Sequence, residues 1–352
     1  MTTPIEFLQN DTQGNSIYVK RDDLFGAQRG FPLSGSKIRI GLKYLQDMQE
    51  KGCDALISYG SRYSNMNSSM AYLTYKNGIP CHIIEPVQDT AAHFSVNHGL
   101  AQDYGAIYHY CRPWDVRTMV RKVFSSIEKA GYKPYYIFGD EAGKGNRRCA
   151  VSAYEEAFSE IRNWERMQNW HFDYIFLPTG TGMTQAGLLA GQLKNDLYAD
   201  TRQIIGVSIS HSKSIATDDI RECLRQYFIE EKRRGQSEGT YPRCSDKDII
   251  VLDEYRGGGY GIYDIDVCDM IDRINRTTQI CLDPLYTGKA FYGMTQYLRS
   301  TCIEHGRILF LHTGGVPNYY DYQFMVQVLQ ERKRKILPVN GIAVSDEGEK
   351  AA

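Results

Sequence analysis

Short runs of β-branched and aliphatic residues alternate along this chain with stretches whose apolar positions recur at helical spacing. Ile17-Tyr18-Val19-Lys20 predicts a strand. Beyond it, Ile38, Leu42, Leu45 and Met48 fall three or four residues apart, the period of a helix with one apolar face. Ser34 and Ser36 stand where a cap would, and Gly52 supplies the stop. Ala55-Leu56-Ile57-Ser58 predicts the next strand, and a turn at Gly60-Ser61 leads into a helix ending at Asn77-Gly78. Residues 81–84, 106–110 and 135–138 repeat the pattern. An amphipathic run over 151–164 then precedes a second series of strands at 174–177, 204–209, 249–252 and 308–311.

This alternation predicts an α/β fold, with parallel sheets covered by helices on both faces. Two series of strands predict two sheets, with a cleft between them for a small ligand. No repeat of fixed period is visible. Residues 232–248, rich in charge, Gly and Ser, read as a loop, and the tail 340–352 reads as disordered.

Composition mainly excludes. A length of 352 residues suits two ordinary domains or one large one. Apolar residues at 42% and charged residues at 24% are the balance of a globular chain with a sizeable core. Lys plus Arg total 41 against 42 Asp plus Glu, so no net field draws nucleic acid or an anionic membrane. The basic run Arg332-Lys333-Arg334-Lys335 reads as a solvated helix end. No stretch approaches the roughly 18 apolar residues of a membrane span, and the first residues do not resemble a signal peptide. A cytoplasmic protein is expected. The nine cysteines are scattered without CxxC spacing, and the eight histidines form neither HExxH nor His-x-His. No metal site is expected.

The strongest local motif is Leu177-Pro178-Thr179-Gly180-Thr181-Gly182-Met183-Thr184-Gln185-Ala186-Gly187, between a predicted strand and a predicted helix over 185–193. Small residues there let backbone N–H groups approach an anion, and the helix dipole favours negative charge. It reads either as a phosphate cradle or as a turn that needs glycine for geometry alone. It is not a dinucleotide fingerprint, because Gln185 occupies the place of the third glycine. That disfavours a nicotinamide dehydrogenase. No lysine follows Gly187, and Gly139 to Lys144 has one residue too few between its glycines, so no Walker A loop is present.

Five other segments are candidates. Ser34-Gly35-Ser36-Lys37 places a lysine at a helix start, where dipole and burial lower its pKa and suit it to capture carbonyls; a surface lysine is the plain alternative. Tyr59 to Asn67 is a polar turn in which Ser64 can cap a helix. Gly257-Gly258-Gly259-Tyr260-Gly261 presents a tyrosine on a flexible loop. Leu282-Asp283-Pro284-Leu285-Tyr286-Thr287-Gly288-Lys289 and Leu311-His312-Thr313-Gly314-Gly315 complete the set. Singly, each reads as a turn.

In this order and spacing the six segments resemble one family, the pyridoxal-phosphate enzymes comprising D-cysteine desulfhydrase and 1-aminocyclopropane-1-carboxylate deaminase. The resemblance begins at Val19-Lys20-Arg21-Asp22-Asp23-Leu24 and runs to about Tyr322. It implies a two-domain, tryptophan-synthase-β-like architecture of fold type II. Residues 1–50 and 166–339 would form a large domain, and 51–165 a small inserted one. Pyridoxal 5'-phosphate would lie in the cleft.

On this resemblance, Lys37 matches the lysine that binds the cofactor covalently and then moves the substrate α-proton. Thr179, Gly180, Thr181, Gly182 and Thr184 match the phosphate-binding loop. Asn65 matches the partner of the cofactor's phenolic oxygen, and Thr313 the threonine near its ring nitrogen. Tyr286 matches the ring-facing tyrosine, Tyr260 a second tyrosine reaching the substrate, and Ser64 the serine beside its carboxylate and α-carbon. The implied activity is a lyase that eliminates a β-substituent from a small amino acid, giving a 2-oxo acid and ammonia, in a cytoplasmic homodimer. A hydroxyl instead of a carboxylate at the ring nitrogen leaves the ring less protonated, which favours prompt loss of a β-leaving group.

The chain departs from the family at three places. Ser34-Gly35-Ser36 stands where Gly-Gly-Asn is usual, and Tyr63-Ser64-Asn65-Met66 where Gln-Ser-Asn-His is usual. Thr287 stands where the deaminase branch carries glutamate, which favours the desulfhydrase-like branch. The alternatives are β-replacement or racemisation with the same lysine, and a pyridoxal-phosphate-binding protein without turnover.

Overall fold

The computed structural model describes residues 2–336, apart from Pro32, Ser34, 88–94, Ala142, Lys144, 195–200, 236–243 and Asp246. The expected cap Ser34, much of the 232–248 loop and the 340–352 tail therefore lie outside the described residues.

β1 (Ile5–Asn10) and β2 (Ser16–Lys20) form an antiparallel pair. Then follow α1 (Ser36–Glu50), β3 (Ala55–Tyr59), α2 (Asn65–Lys76), β4 (Cys81–Pro86), α3 (Val96–Asp103), β5 (Ile107–Cys111), α4 (Val116–Lys129) and β6 (Pro134–Tyr136). α5 (Arg147–Gln168) leads to β7 (Tyr174–Thr179), α6 (Met183–Lys194), β8 (Gln203–Ser208), α7 (Lys213–Arg233) and β9 (Ile250–Leu252). α8 (Ile265–Thr278), α9 (Thr287–Ser300), β10 (Arg307–Leu311) and α10 (Val316–Ile336) complete the order.

Among the described residues the strands form two sheets. One is six-stranded, in the order β1-β2-β10-β7-β8-β9, and parallel except for β1; the other, β5-β4-β3-β6, is parallel throughout. All strands from residues 1–50 and 166–339 lie in the first sheet, and those from 51–165 in the second. The strand at 17–20, early in the chain, therefore pairs with β10, near its other end.

The central strands are buried on both faces, which is why they read as continuous apolar runs. Successive residues still point to opposite sides. In β10, Leu309 and Leu311 join the core shared with α1, α2, α5, α6 and the four-stranded sheet. Ile308 and Phe310 join a second core, formed with Phe291 and Met294 of α9.

The sequence-based reading needs three corrections. Ser36 does not cap α1: it is the helix's first residue, and the capping position is Gly35, which has no side chain to offer. β6 stops at Tyr136, because the chain turns there with Gly139 N–H donating to the Tyr136 carbonyl at 2.8 Å. β1 was not anticipated; it is an edge strand with no buried residue.

Beneath the start of α1 lies a buried charge network. Arg39 donates to Asp22 at 2.9 and 3.1 Å and to Glu160 at 2.7 and 3.1 Å. Lys20 reaches Glu160 at 2.6 Å and the Thr3 hydroxyl at 2.6 Å, and Tyr154 donates to Asp22 at 2.9 Å. The network ties β2, α1 and α5 together two residues from Lys37. No helix among the described residues is long and apolar enough to cross a membrane, and no group of three or more His, Cys, Asp or Glu is placed to hold a metal.

Candidate active site

The parallel strands of both sheets open their C-terminal ends onto one cleft, where α/β folds place their ligands. It holds a cavity of about 630 Å³. Lys37, Ser64, Asn65, Thr179, Gly180, Thr181, Gly182, Thr184, Tyr260, Tyr286 and Thr313 all line it.

Lys37 is the second residue of α1, and the turn before it is pinned. Ser36 N–H donates to the Thr313 carbonyl at 3.0 Å, and Gly35 N–H to the Phe25 carbonyl at 3.0 Å. Gly35 has φ +124°, and a Cβ there would stand 3.2 Å from the Thr313 oxygen. Only glycine fits both demands. The Lys37 amine has no hydrogen-bond or ion-pair partner among the described residues, and its accessible surface faces the cavity. Burial without compensation pushes its pKa down to about 8. At pH 7 roughly a tenth of such amines are neutral and nucleophilic.

Across the cavity, β7 runs into the Gly180-Thr181-Gly182 turn and α6 starts at Met183. Gly182 has φ +76°, and a Cβ there would meet Ile220 at 2.7 Å. Thr179 donates its hydroxyl to Gln185 Oε1 at 2.9 Å, and Gln185 Nε2 donates to the carbonyls of Ile204 and Ile250 at 3.3 and 2.8 Å. The residue in the third glycine's place is thus a latch that fixes the turn to β8 and β9. Thr179 lends the turn its backbone, while its hydroxyl proton is committed to that latch. Thr181 and Thr184 have no such engagement among the described residues.

Ser64 is the cap of α2, its hydroxyl oxygen accepting from Asn67 N–H at 3.3 Å. Capping uses a lone pair and leaves the hydroxyl proton for another acceptor. Asn65 accepts through Oδ1 from Asn97 Nδ2 at 3.0 Å, which leaves its own amide N–H groups to the cavity side. Tyr260 and Tyr286 touch through their hydroxyls at 2.9 Å, and Ser61 Oγ stands 3.4 Å from Tyr260. Burial raises both phenol pKa values, Tyr286 most, so both are neutral at physiological pH. Asp283 fixes Tyr286 from below, accepting from the N–H groups of Leu285, Tyr286 and Thr287 at 3.0 Å and from the Thr287 hydroxyl at 2.7 Å.

Ser210 and His211, just past β8, also line the cavity, as does an apolar wall of Tyr59, Met66, Pro86, Val96, Leu100 and Phe138. Tyr59 and Met66 fall in the Tyr59–Asn67 segment that the sequence singled out, but the sequence reading missed the others. Their signal was position alone, since Ser210 and His211 follow a predicted strand at its C-terminal end. Lys37 and His211 are the basic residues among the described lining, and no Asp, Glu or Arg is present there.

What such a cleft can hold follows from its groups. An amine without a partner captures an aldehyde, and a small-residue turn at a helix start receives a phosphate. Pyridoxal phosphate carries both, and the residues present fit it. Two parallel sheets sharing this cleft are the architecture of fold type II pyridoxal-phosphate enzymes. The chain belongs to the pyridoxal-phosphate dependent enzyme family, whose sequence profile matches residues 2–314.

The chain is 28% identical over 336 residues to a 1-aminocyclopropane-1-carboxylate deaminase of Bradyrhizobium sp. strain BTAi1, covering 92% of this chain and 94% of that one. It is 27% identical over 318 residues to the deaminase of Methylobacterium sp. strain 4-46, covering 88% and 90%. Among solved structures it resembles an ACC deaminase homologue, with TM-score 0.77, 24% identity and 94% of each chain covered.

Proposed function

We propose that this protein is a lyase that eliminates a β-substituent from a small amino acid, releasing a 2-oxo acid and ammonia, in the manner of D-cysteine desulfhydrase. The observation that carries the choice of elimination over cyclopropane opening is Thr287. Its hydroxyl is buried against Asp283 at 2.7 Å, so the position where the deaminase branch carries glutamate brings no acid or base to the cavity. The apolar wall of Tyr59, Met66, Val96, Leu100 and Phe138 favours an uncharged substituent on the substrate.

In this reading Lys37 holds the cofactor, the turn from Gly180 to Thr184 receives its phosphate, and Asn65 donates to its phenolic oxygen. Tyr286 and Thr313, which line the same cavity, would hold the cofactor's ring. The bound cofactor supplies an aldehyde for the substrate amine and a ring that accepts negative charge from the α-carbon. Lys37, whose pKa burial lowers, would serve as the base for the α-proton. Ser64 and the N-terminal N–H groups of α2 take the substrate carboxylate, since no arginine lines the cavity among the described residues. Tyr260, a neutral phenol at physiological pH, donates toward the leaving group. Residues 51–165 act as the unit that closes on the substrate, and the family resemblance extends the proposal to a homodimer in the cytoplasm.

Ser64→Ala tests the site. Exchange of the α-proton of a bound amino acid is expected to fall about a hundredfold, the scale of a misplaced reacting group, with the cofactor still bound. Loss of the cap costs about 1 kcal/mol. Cofactor loss in place of slowed exchange would make Ser64 a structural residue only.

A further inference from the structure

We propose that Lys289, outside the cavity, is a positioning residue that clamps the Tyr260 loop onto the helix start carrying Tyr286, so that one rigid element sets the spacing of both tyrosines. This rests on the reading in which that pair acts on the substrate.

Lys289 is fully buried in the first turn of α9, three residues after Tyr286. Its ammonium donates to the carbonyls of Arg256 at 2.7 Å, Gly259 at 2.8 Å and Ile209 at 3.2 Å. The first precedes the glycine run before Tyr260 and the second is that run's last residue; the third belongs to the chain leaving β8 at the cavity edge. All three donors are used, which requires the charged form.

A lysine here is poorly suited to stabilise its own helix. A cation near a helix N-terminus opposes the dipole, and burial makes its charge costly. The three carbonyls offset that cost, and two of them belong to a loop that is loosely packed past its first glycine. Gly257 lies against the Ile262 carbonyl, 2.6 Å from where its Cβ would stand, but a side chain at Gly258 or Gly259 would only graze Ile262, and space is open around Gly261. Apart from Lys289, the loop is closed by Gly259 N–H to the Arg256 carbonyl at 3.2 Å and Ile262 N–H to the Gly259 carbonyl at 3.3 Å. The Tyr260 hydroxyl nevertheless meets Tyr286 at 2.9 Å and lies 3.4 Å from Ser61 across the cleft. Lys289 differs from Lys37 in kind: Lys37 faces the cavity with an amine that has no partner among the described residues, whereas Lys289 spends every donor on backbone.

The test uses the full chain loaded with pyridoxal phosphate, with hydrogen exchange over residues 256–262 as the first readout. Lys289→Met is expected to speed amide exchange at Gly259 and Ile262 at least tenfold, while α6 exchanges as before and the visible cofactor band is kept. Release of pyruvate from β-chloroalanine, supplied as both enantiomers, is expected to fall about a hundredfold, the scale of a misplaced catalytic group. The double variant Lys289→Met/Tyr260→Phe is expected to lose no more than the worse single variant, because both act through one hydroxyl. In Lys289→Ala, propylammonium restores slow exchange and 1-propanol does not. If Lys289→Met folds poorly, Lys289→Gln, which keeps two donors, is expected to show intermediate exchange. Unchanged exchange over 256–262, or losses that multiply in the double variant, would overturn the proposal. A wild-type protein without a visible band would instead overturn the functional reading, and the exchange contrast would still decide the clamp.

Discussion

Lys37→Ala is expected to yield a folded, colourless protein whose absorbance no longer shows a visible cofactor band and whose turnover is lower by at least about a thousandfold. On the proposed reading the lost group is both the anchor of the cofactor and the base for the α-proton, and positioned proton transfer alone contributes about 10²- to 10⁴-fold. The fold should survive, since the Lys37 side chain lines a cavity and makes no hydrogen bond or ion pair among the described residues. The pH dependence has a definite sign. Burial lowers the folded-state pKa of Lys37 to about 8 from 10.5, so between those values the unfolded chain holds the proton more often. Cofactor-free wild type therefore gains stability relative to Lys37→Ala as pH rises through that window. The rate of pyridoxal phosphate capture rises with pH up to about 8, as the amine loses its proton. An unchanged cofactor spectrum in Lys37→Ala would remove the assignment.

Asp22→Asn carries the largest expected loss of stability, roughly 3–5 kcal/mol at pH 7 by urea denaturation, the range for breaking one side of a buried ion pair. Asp22 is fully buried and accepts from Arg39, the Thr3 hydroxyl and Tyr154. An amide in its place cannot balance Arg39 and Lys20, and Glu160 alone would face both cations. Burial by itself would raise the Asp22 pKa, but Arg39 and Lys20 overcome it and hold the carboxyl below its usual value. A lowered folded-state pKa contributes stability that is present above the unfolded value and lost as pH falls through the folded one. The gap between wild type and Asp22→Asn should thus be full at pH 7 and close on acidification. A gap below about 1 kcal/mol at pH 7, the scale of an exposed pair, would show that the network does not hold α1.

Local pattern and local chemistry reach different distances into this protein. The alternation of strand and helix was legible because β7, β8 and β10 are buried on both faces and so carry unbroken apolar runs. β1 was not legible: Ile5–Asn10 is half exposed, and its place depends on pairing with β2. Several lining residues were found because they sit in turns just beyond strands, Ser64 after β3, Gly180 to Gly182 after β7 and Thr313 after β10, where small and polar residues interrupt the apolar pattern. Sequence could not show how those residues are held. Gln185 reads as a missing glycine until its bonds to Thr179, Ile204 and Ile250 are seen. Ser36 reads as a cap until its N–H is found on Thr313. Asn97, which holds Asn65, lies 32 residues from it, and the partners of Lys289 lie 30, 33 and 80 residues away. Such contacts are set by tertiary packing, and no local spacing encodes them.

The central claim is that this cleft binds pyridoxal phosphate through Lys37 and eliminates a β-substituent. The most direct measurement is the absorbance spectrum of the purified protein, followed by titration with D- and L-amino acids while 2-oxo acid is assayed. A visible band that shifts or bleaches with one of them, accompanied by 2-oxo acid and ammonia, is the predicted result. A band that shifts with the amino group retained in the product would replace elimination with β-replacement or racemisation. A colourless protein that cannot be reconstituted with pyridoxal phosphate would contradict the account at its root.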